Sequence, residues 1–296
     1  MRVTSVTSVT SVTALIPNPQ SLIPLVTRFA PAPTGYLHLG HVLNAVYVWD
    51  IARASGPDAR VLLRIEDHDR VRSRREFEDA LLADLAWLGF AADREVTRQS
   101  ERGALYEQAL DRLRQRGLTY ACECSRSEIA STHYSGTCRD KHLPESAGRG
   151  VRVKLDPSVE RFDDRRLGPQ EQRPSEQCGD LLVRDRHGHW TYQFAVVVDD
   201  WLQGINLVIR GEDLLDSTGR QIQLSRLLGR GQPPAFLHHE LLMKTPTQKL
   251  SKSDGDTGVR ELRARGWTAE AVIDRATRLA GVSRDLMSTF LMFDRT

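Results

Sequence analysis

Apolar and polar positions alternate in recognisable periods along most of this chain, and the periods assign its elements. Leu25-Val26-Thr27-Arg28-Phe29 is a short run of the kind that forms a buried strand. Ala30 to Leu37 carries Pro31, Pro33 and Gly35 and predicts a turn, and Gly40 to Ala54 has the spacing of an amphipathic helix. Val61 to Ile65 predicts a second buried strand, ending in Glu66-Asp67-His68-Asp69. Phe77, Leu81, Leu82, Leu85 and Leu88 fall at helical spacing within 74–88, as do Leu105, Ala109, Leu110 and Leu113 within 103–116. These segments predict a βαβ half-domain closing near Tyr120. From Arg139 to Gly179 the pattern loosens. Val151 to Leu155 alternates as a strand there, and the remainder is proline, glycine and charge, as in an inserted segment. Leu181 to Arg184, a turn at His187-Gly188-His189 and the run Tyr192 to Asp200 predict a hairpin leading into a buried element. Asn206 to Arg210 predicts a further buried strand, followed by a helix from about Ser217 to Leu228. Leu237 to Met243 is one more apolar segment, and Thr268 to Leu279 an amphipathic helix.

Strands alternating with helices imply an α/β fold with a parallel sheet. The 296 residues suffice for two domains, or for one large domain with an insertion. With 40% hydrophobic and 27% charged residues the composition is that of a globular protein, and no run approaches the roughly 18 apolar residues that cross a bilayer. The net charge is only +2, so a nucleic-acid partner has to meet a local basic face. The arginines around 70–75 and 161–173 are candidates for it. The Thr-Ser-Val repeat of residues 4–13 has no core-forming pattern, and 1–24 reads as a disordered extension and not as a targeting signal. Four cysteines in a chain of this length suit a reducing, cytoplasmic setting better than a disulfide scaffold.

Candidate chemistry concentrates in four places. His38-Leu39-Gly40-His41 stands where a loop enters a helix, a position at which unpaired N–H groups favour phosphate, and Gly40 lets a ligand approach the backbone. Lys249-Leu250-Ser251-Lys252-Ser253 lies about two hundred residues later, and the two motifs can grip a nucleotide's phosphates from opposite sides. Glu66 and Arg210 each end a predicted strand, where open parallel sheets bind ligands. A carboxylate for an ammonium group and a guanidinium fork for a carboxylate together suit an acidic amino acid. Cys122, Cys124 and Cys138, with Tyr134 or the adjacent His133 as fourth ligand, have the spacing of a closed structural zinc site; Cys178 stands too far along to be implied. His187 and His189 flank a turn glycine and read as exposed turn residues.

The two phosphate-binding motifs together resemble the signatures of class I aminoacyl-tRNA synthetases. Arg28 to Gly35, Arg64 to Asp67, Tyr192-Gln193, Val198-Asp199-Asp200 and Arg210 to Leu214 resemble the catalytic domain of glutamyl-tRNA synthetases in order and context, from about residue 26 onward. The resemblance implies a Rossmann-type fold that activates glutamate with ATP and Mg²⁺. It divides the chain into a first half of the catalytic domain (25–120), an inserted zinc-containing subdomain (121–180), a second half with the lysine loop (181–262) and a helical stub (263–296). Full-length members continue into an anticodon-binding domain. Stopping soon after the lysine loop, joined to the cysteine pattern, is similar to the stand-alone branch that attaches glutamate to the modified base queuosine of tRNA(Asp). In that branch Arg28, Phe29, Ala30, Pro31, Ala32, Glu66, Tyr192 and Arg210 would contact glutamate, Lys252 would contact ATP, and Cys122, Cys124, Tyr134 and Cys138 would bind zinc. A monomer that docks on the anticodon stem-loop is the expectation. A truncated synthetase charging a tRNA 3′ end and a non-catalytic RNA-binding paralogue are the rival expectations.

Overall fold

The computed structural model describes residues 23–69, 71–125, 128–129, 133–245, 248–249 and 258–282, with 244–245 and 248–249 as backbone only. The Thr-Ser-Val repeat and Leu250 to Ser253 lie outside the described residues. Strand β1 (Val26–Phe29) leads through the proline turn into helix α1 (Leu39–Ala54), then β2 (Arg60–Ile65), α2 (Arg75–Trp87), the short β3 (Thr97–Arg98) and α3 (Gly103–Gln115). Strands β1, β2 and β3 pair in parallel in that order. After β4 (Thr119–Cys122) come β5 (Gly150–Val153), a hairpin of β6 (Glu160–Asp164) and β7 (Gly168–Gln172), α4 (Pro174–Cys178) and β8 (Leu181–Arg184). Then follow α5 (Tyr192–Leu202), β9 (Leu207–Gly211), α6 (Thr218–Leu228), β10 (Ala235–His239), the ladder of β11 (Met243–Thr245) and β12 (Gln248–Lys249), α7 (Val259–Ala264) and α8 (Ala269–Ala280).

A second sheet has the order β7-β6-β10-β9, with β6, β10 and β9 parallel. It abuts the first along β1. Asn206 closes the seam: its N–H donates to the Val26 carbonyl at 2.9 Å, and its side-chain oxygen accepts from the Val26 N–H at 2.8 Å. The chain leaves β1 toward β2 on one side and meets β9 on the other. That reversal of strand order is where open α/β sheets hold ligands. Strands β4, β5 and β8 form a separate antiparallel sheet beside the cysteines.

Two features depart from the sequence expectation and one fills in an element left unassigned, each for a physical reason. Helix α1 is not half-exposed: ten of its sixteen residues are buried, because the sheet covers one side and α8 packs along another. The run Tyr192 to Asp200 is a helix buried from Phe194 through Asp200 on all sides, so no 3.6-residue period survives in its sequence. Residues 160–172 are polar on their exposed face, yet β6 pairs with β10 and extends the main sheet from within the segment that looked inserted.

Candidate active site

A cavity of about 390 Å³ opens at the carboxyl ends of β1, β2, β9 and β10 and at the N-terminus of α1. Arg28, Ala30, His38, Gly40, His41, Glu66, Tyr192 and Arg210 all line it, together with Asn44, Asp213 and His239. Phe29, Pro31 and Ala32 do not. Phe29 turns into the core against Trp49, and the Pro31 carbonyl accepts the Glu66 N–H at 3.0 Å, so that turn positions Glu66 from behind. Lys252 lies outside the described residues, as does the side chain of Lys249. The chain that emerges from the lysine loop is nonetheless tied to the histidine turn. Gly258 forms a β-bridge with His38, and the Val259 N–H donates to the Leu37 carbonyl at 2.9 Å.

The histidines cap α1. His38 Nδ1 accepts from the Gly40 N–H at 3.1 Å, and His41 Nδ1 accepts from the His38 N–H at 3.2 Å. An Nδ1 that accepts leaves the ring proton on Nε2, so each imidazole is preset as an Nε2–H donor. Gly40 has a steric reason: a Cβ there would stand 2.9 Å from His38 Cε1. The glycine makes room for the capping ring, a more direct constraint than ligand approach.

Beneath the cavity lies a buried charge network. Arg64, fully buried, reaches Asp200 Oδ1 at 2.8 Å, Gln203 Oε1 at 2.9 Å and Glu66 Oε1 at 3.3 Å. Arg28 donates to Asp200 Oδ1 at 3.2 Å and to the Ile209 carbonyl at 3.1 Å, bridging the seam between the sheets. Asp199 takes Arg102 at 2.6 Å, Gln99 at 2.8 Å and the Tyr106 hydroxyl at 2.9 Å. Burial raises the Glu66 carboxyl above its ordinary value, against the pull of Arg64 and Arg28. Removing one partner from such a network leaves an uncompensated buried charge, which typically costs about 3–5 kcal/mol.

Arg210 differs from these arginines. It is 3% exposed, and its hydrogen-bond partners among the described residues are neutral: His238 Nε2 at 3.0 Å, Gln221 Oε1 at 2.7 Å, Thr218 Oγ1 at 2.9 Å and the Tyr192 phenol. No carboxylate is within ion-pair distance of it among the described residues. Burial lowers its pKa, and likewise raises that of Tyr192 beside it. A buried guanidinium with only neutral partners, facing a cavity, is suited to receive an anion. His238 continues to Asp164, whose carboxyl is held below the ordinary range: burial would raise it, but the hydrogen bond from His238 and the backbone N–H groups of Leu167 and Arg166 prevail. Nothing in the sequence singles out Asp164, Thr218, Gln221 or His238. Asp199 and Asp200 entered the sequence reading only through the resemblance carried by Val198-Asp199-Asp200.

Apart from the residues lining the cavity, the sulfurs of Cys122, Cys124 and Cys138 lie within 4.8 Å of one another. The Tyr134 hydroxyl is 3.5 Å from Cys122 Sγ and 4.0 Å from Cys124 Sγ, whereas His133 faces the Ser175 carbonyl. Arg152 stacks 3.5 Å over the Tyr134 ring and donates to Cys122 Sγ at 3.3 Å. Four ligand atoms about 2.3 Å from a shared centre would be separated by such distances. Cys178 is buried apart, its thiol on the Pro174 carbonyl. His187 and His189 occupy the exposed turn before α5, their backbone N–H groups on Asp185. The arginine-rich stretches are largely ion-paired: Arg72 with Asp69, Arg75 with Asp79, Arg161 and Arg173 with Glu171, and Arg166 with Glu212. Among the described residues no helix is long and apolar enough to cross a membrane.

The chain is similar to proteins of known kind. Residues 24–293 match the model of the catalytic domain of class I tRNA synthetases (E and Q). A glutamyl-Q tRNA(Asp) synthetase of Rhodobacter capsulatus is 40% identical over 272 residues, covering 82% of this chain and 96% of that protein. A glutamate–tRNA ligase of Oleidesulfovibrio alaskensis is 39% identical over 267 residues, covering 86% of this chain and 57% of the ligase. Among solved structures, a glutamate tRNA ligase from Elizabethkingia meningosepticum in complex with its amino acid superposes with a TM-score of 0.78 at 26% identity, over 93% of this chain and 66% of that one.

Proposed function

As a member of the class I tRNA synthetase family for glutamate and glutamine, to which this chain belongs, the protein is a ligase with the family's α/β catalytic fold, and we propose that it activates L-glutamate with ATP, without tRNA, and passes the glutamyl group to queuosine at the wobble position of tRNA(Asp). The observation that carries the glutamate reading is Arg210, a buried cation with neutral partners in the same cavity as Glu66. Arg210 would take the side-chain carboxylate and Glu66 the ammonium group, which orients the α-carboxylate toward the N-terminus of α1.

In the first step an α-carboxylate oxygen attacks the α-phosphorus of ATP in line. The bond to the bridging oxygen breaks, pyrophosphate leaves, and glutamyl-adenylate remains. No protein nucleophile is needed. His38 and His41 would donate from Nε2 to phosphate oxygens as charge builds on them, helped by the helix N-terminus, and Lys252 would do so from the opposite side. Removing one such donor typically costs about 3–4 kcal/mol. Mg²⁺ bound with ATP would neutralise phosphate charge. In the second step a hydroxyl of the queuosine ring attacks the acyl carbon, releasing AMP. Cys122, Cys124, Cys138 and Tyr134 would hold a zinc ion whose contribution is structural, fixing a segment with little apolar surface to bury.

The second reading is charging of a tRNA 3′ end, favoured by the 39% identity to a glutamate–tRNA ligase. One experiment separates the two. Labelled glutamate is incubated with ATP and tRNA(Asp) that contains or lacks queuosine, and the acid-precipitable label is counted. The proposal predicts label only on the modified tRNA; equal labelling of both overturns it.

A further inference from the structure

The orientation of Arg210 is set from outside its own strand. Its Nε donates to His238 Nε2 at 3.0 Å, and the other ring nitrogen, Nδ1, lies 2.6 Å from Asp164 Oδ2. Arg210 is the last residue but one of β9, His238 is on β10 and Asp164 ends β6, so the relay crosses three adjacent strands. All three side chains are buried: His238 is 0%, Arg210 3% and Asp164 3% exposed. A guanidinium N–H can only donate, so His238 Nε2 accepts; an ionised carboxylate can only accept, so Nδ1 carries the proton. The imidazole is therefore fixed as the neutral Nδ1–H tautomer from both sides. Asp164 is itself fixed by the backbone N–H groups of Arg166, Leu167 and His238, at 3.1, 3.0 and 3.1 Å.

The charge logic of this arrangement is specific. A carboxylate placed directly on Arg210 would orient its fork and also cancel its charge. A carboxylate one imidazole away orients the fork through a neutral ring and leaves the cation for the ligand. We infer that Asp164 and His238 are positioning residues for the substrate's side-chain carboxylate, Asp164 setting the His238 tautomer that holds the Arg210 fork in place. The inference rests on the reading above that Arg210 receives that carboxylate.

Asp164→Asn tests it. The amide oxygen can still accept from Arg166 and Leu167, and from the His238 backbone N–H that lies 3.4 Å from the same oxygen in the parent, which turns the NH₂ toward the His238 ring. The ring must then accept at Nδ1 and carry its proton on Nε2, against the Nε–H of Arg210. In glutamate-dependent ATP–pyrophosphate exchange the glutamate KM is expected to rise roughly tenfold to a hundredfold, the loss of one hydrogen bond to a charged group. The KM for ATP and kcat at saturating glutamate are expected to stay within about threefold, as for an interaction equal in ground and transition states. Nitrogen-15 spectra of the histidine rings are expected to give Nδ1–H for His238 in the parent and Nε2–H in the variant. His238→Gln alone, whose amide can donate to Asp164 and accept from Arg210, is expected to keep the glutamate KM within about fivefold of the parent, and a rise beyond that overturns the inference. An Nε2–H or doubly protonated His238 in the parent overturns the inference, and so does a variant that loses kcat with its glutamate KM unmoved. If Asp164→Asn does not fold, the parent spectrum and His238→Gln decide. A parent protein without glutamate-dependent exchange would instead refute the activity proposed above. The tautomer is read on the free protein, so the two failures are distinguishable.

Discussion

Replacing Arg210 by glutamine removes a charge while leaving an amide that can partner some of the neutral groups around it. The guanidinium is 3% exposed and sits among His238, Gln221 and Thr218, with Gln221 held in turn by Gln193 at 2.8 Å. A carboxylate bound to the fork makes two charge-assisted hydrogen bonds. At about 1.5–3 kcal/mol each, with some overlap, their loss costs about 3–5 kcal/mol. That corresponds to a fall in kcat/KM for glutamate of roughly a hundredfold to a few thousandfold. Glutamine as substrate would lose one hydrogen bond to a charged group, about 1.5–3 kcal/mol, or roughly tenfold to a hundredfold. The preference for glutamate over glutamine should therefore shrink about tenfold. The assay is ATP–pyrophosphate exchange with each amino acid, with circular dichroism to show that the variant is folded. Equal losses for glutamate and glutamine, or a glutamate kcat/KM within about fivefold of the parent, would refute the assignment of Arg210 as the carboxylate receptor.

Other consequences are as specific. In Gly40→Ala the new methyl group stands 2.9 Å from the His38 ring, so the cap is dislodged; about 1 kcal/mol of stability should be lost, and kcat for exchange should drop by tenfold or more. Protein purified without chelator is expected to hold about one zinc per chain by elemental analysis and Cys124→Ser none; a metal-free parent would leave the three thiols as ordinary cysteines. His239, 3% exposed, stacks on Tyr47 and is held by burial to a pKa of about 4 against an ordinary 6.5. Its folded value lies below the unfolded one, so the unfolded chain binds more protons between those limits and stability is lost as pH falls through them. Denaturant unfolding between pH 7 and pH 4 should cost the parent about 3 kcal/mol more than His239→Gln, and parallel pH profiles would contradict this.

The sequence carried the parts of this molecule whose physics is local. β1, the proline turn, α1 and β2 announce themselves through apolar runs, breakers and caps, and His38, His41, Glu66 and Arg210 stand at strand or helix ends that open onto one cavity. What it concealed depends on contacts between distant segments. Helix α5 carries three consecutive valines buried on every side, which read equally well as a strand. Strand β6 is recognisable only through its pairing with β10. Asp164 and His238 are single polar residues seventy-four positions apart whose roles arise from that pairing. Of the Arg28 to Ala32 stretch, position in the motif could not tell the residues that line the cavity from Phe29, which turns into the core.

The central claim is that the histidine turn of α1 and the Arg210 pocket form two ends of one site, for phosphate and for an acidic amino acid. A crystal structure with a non-hydrolysable sulfamoyl analogue of glutamyl-adenylate tests it most directly. The account predicts the side-chain carboxylate on both terminal nitrogens of Arg210, the ammonium group on Glu66 and the sulfamoyl oxygens within hydrogen-bond distance of His38 or His41. An analogue bound with its side-chain carboxylate away from Arg210, or with its sulfamoyl group remote from both histidines, would contradict it.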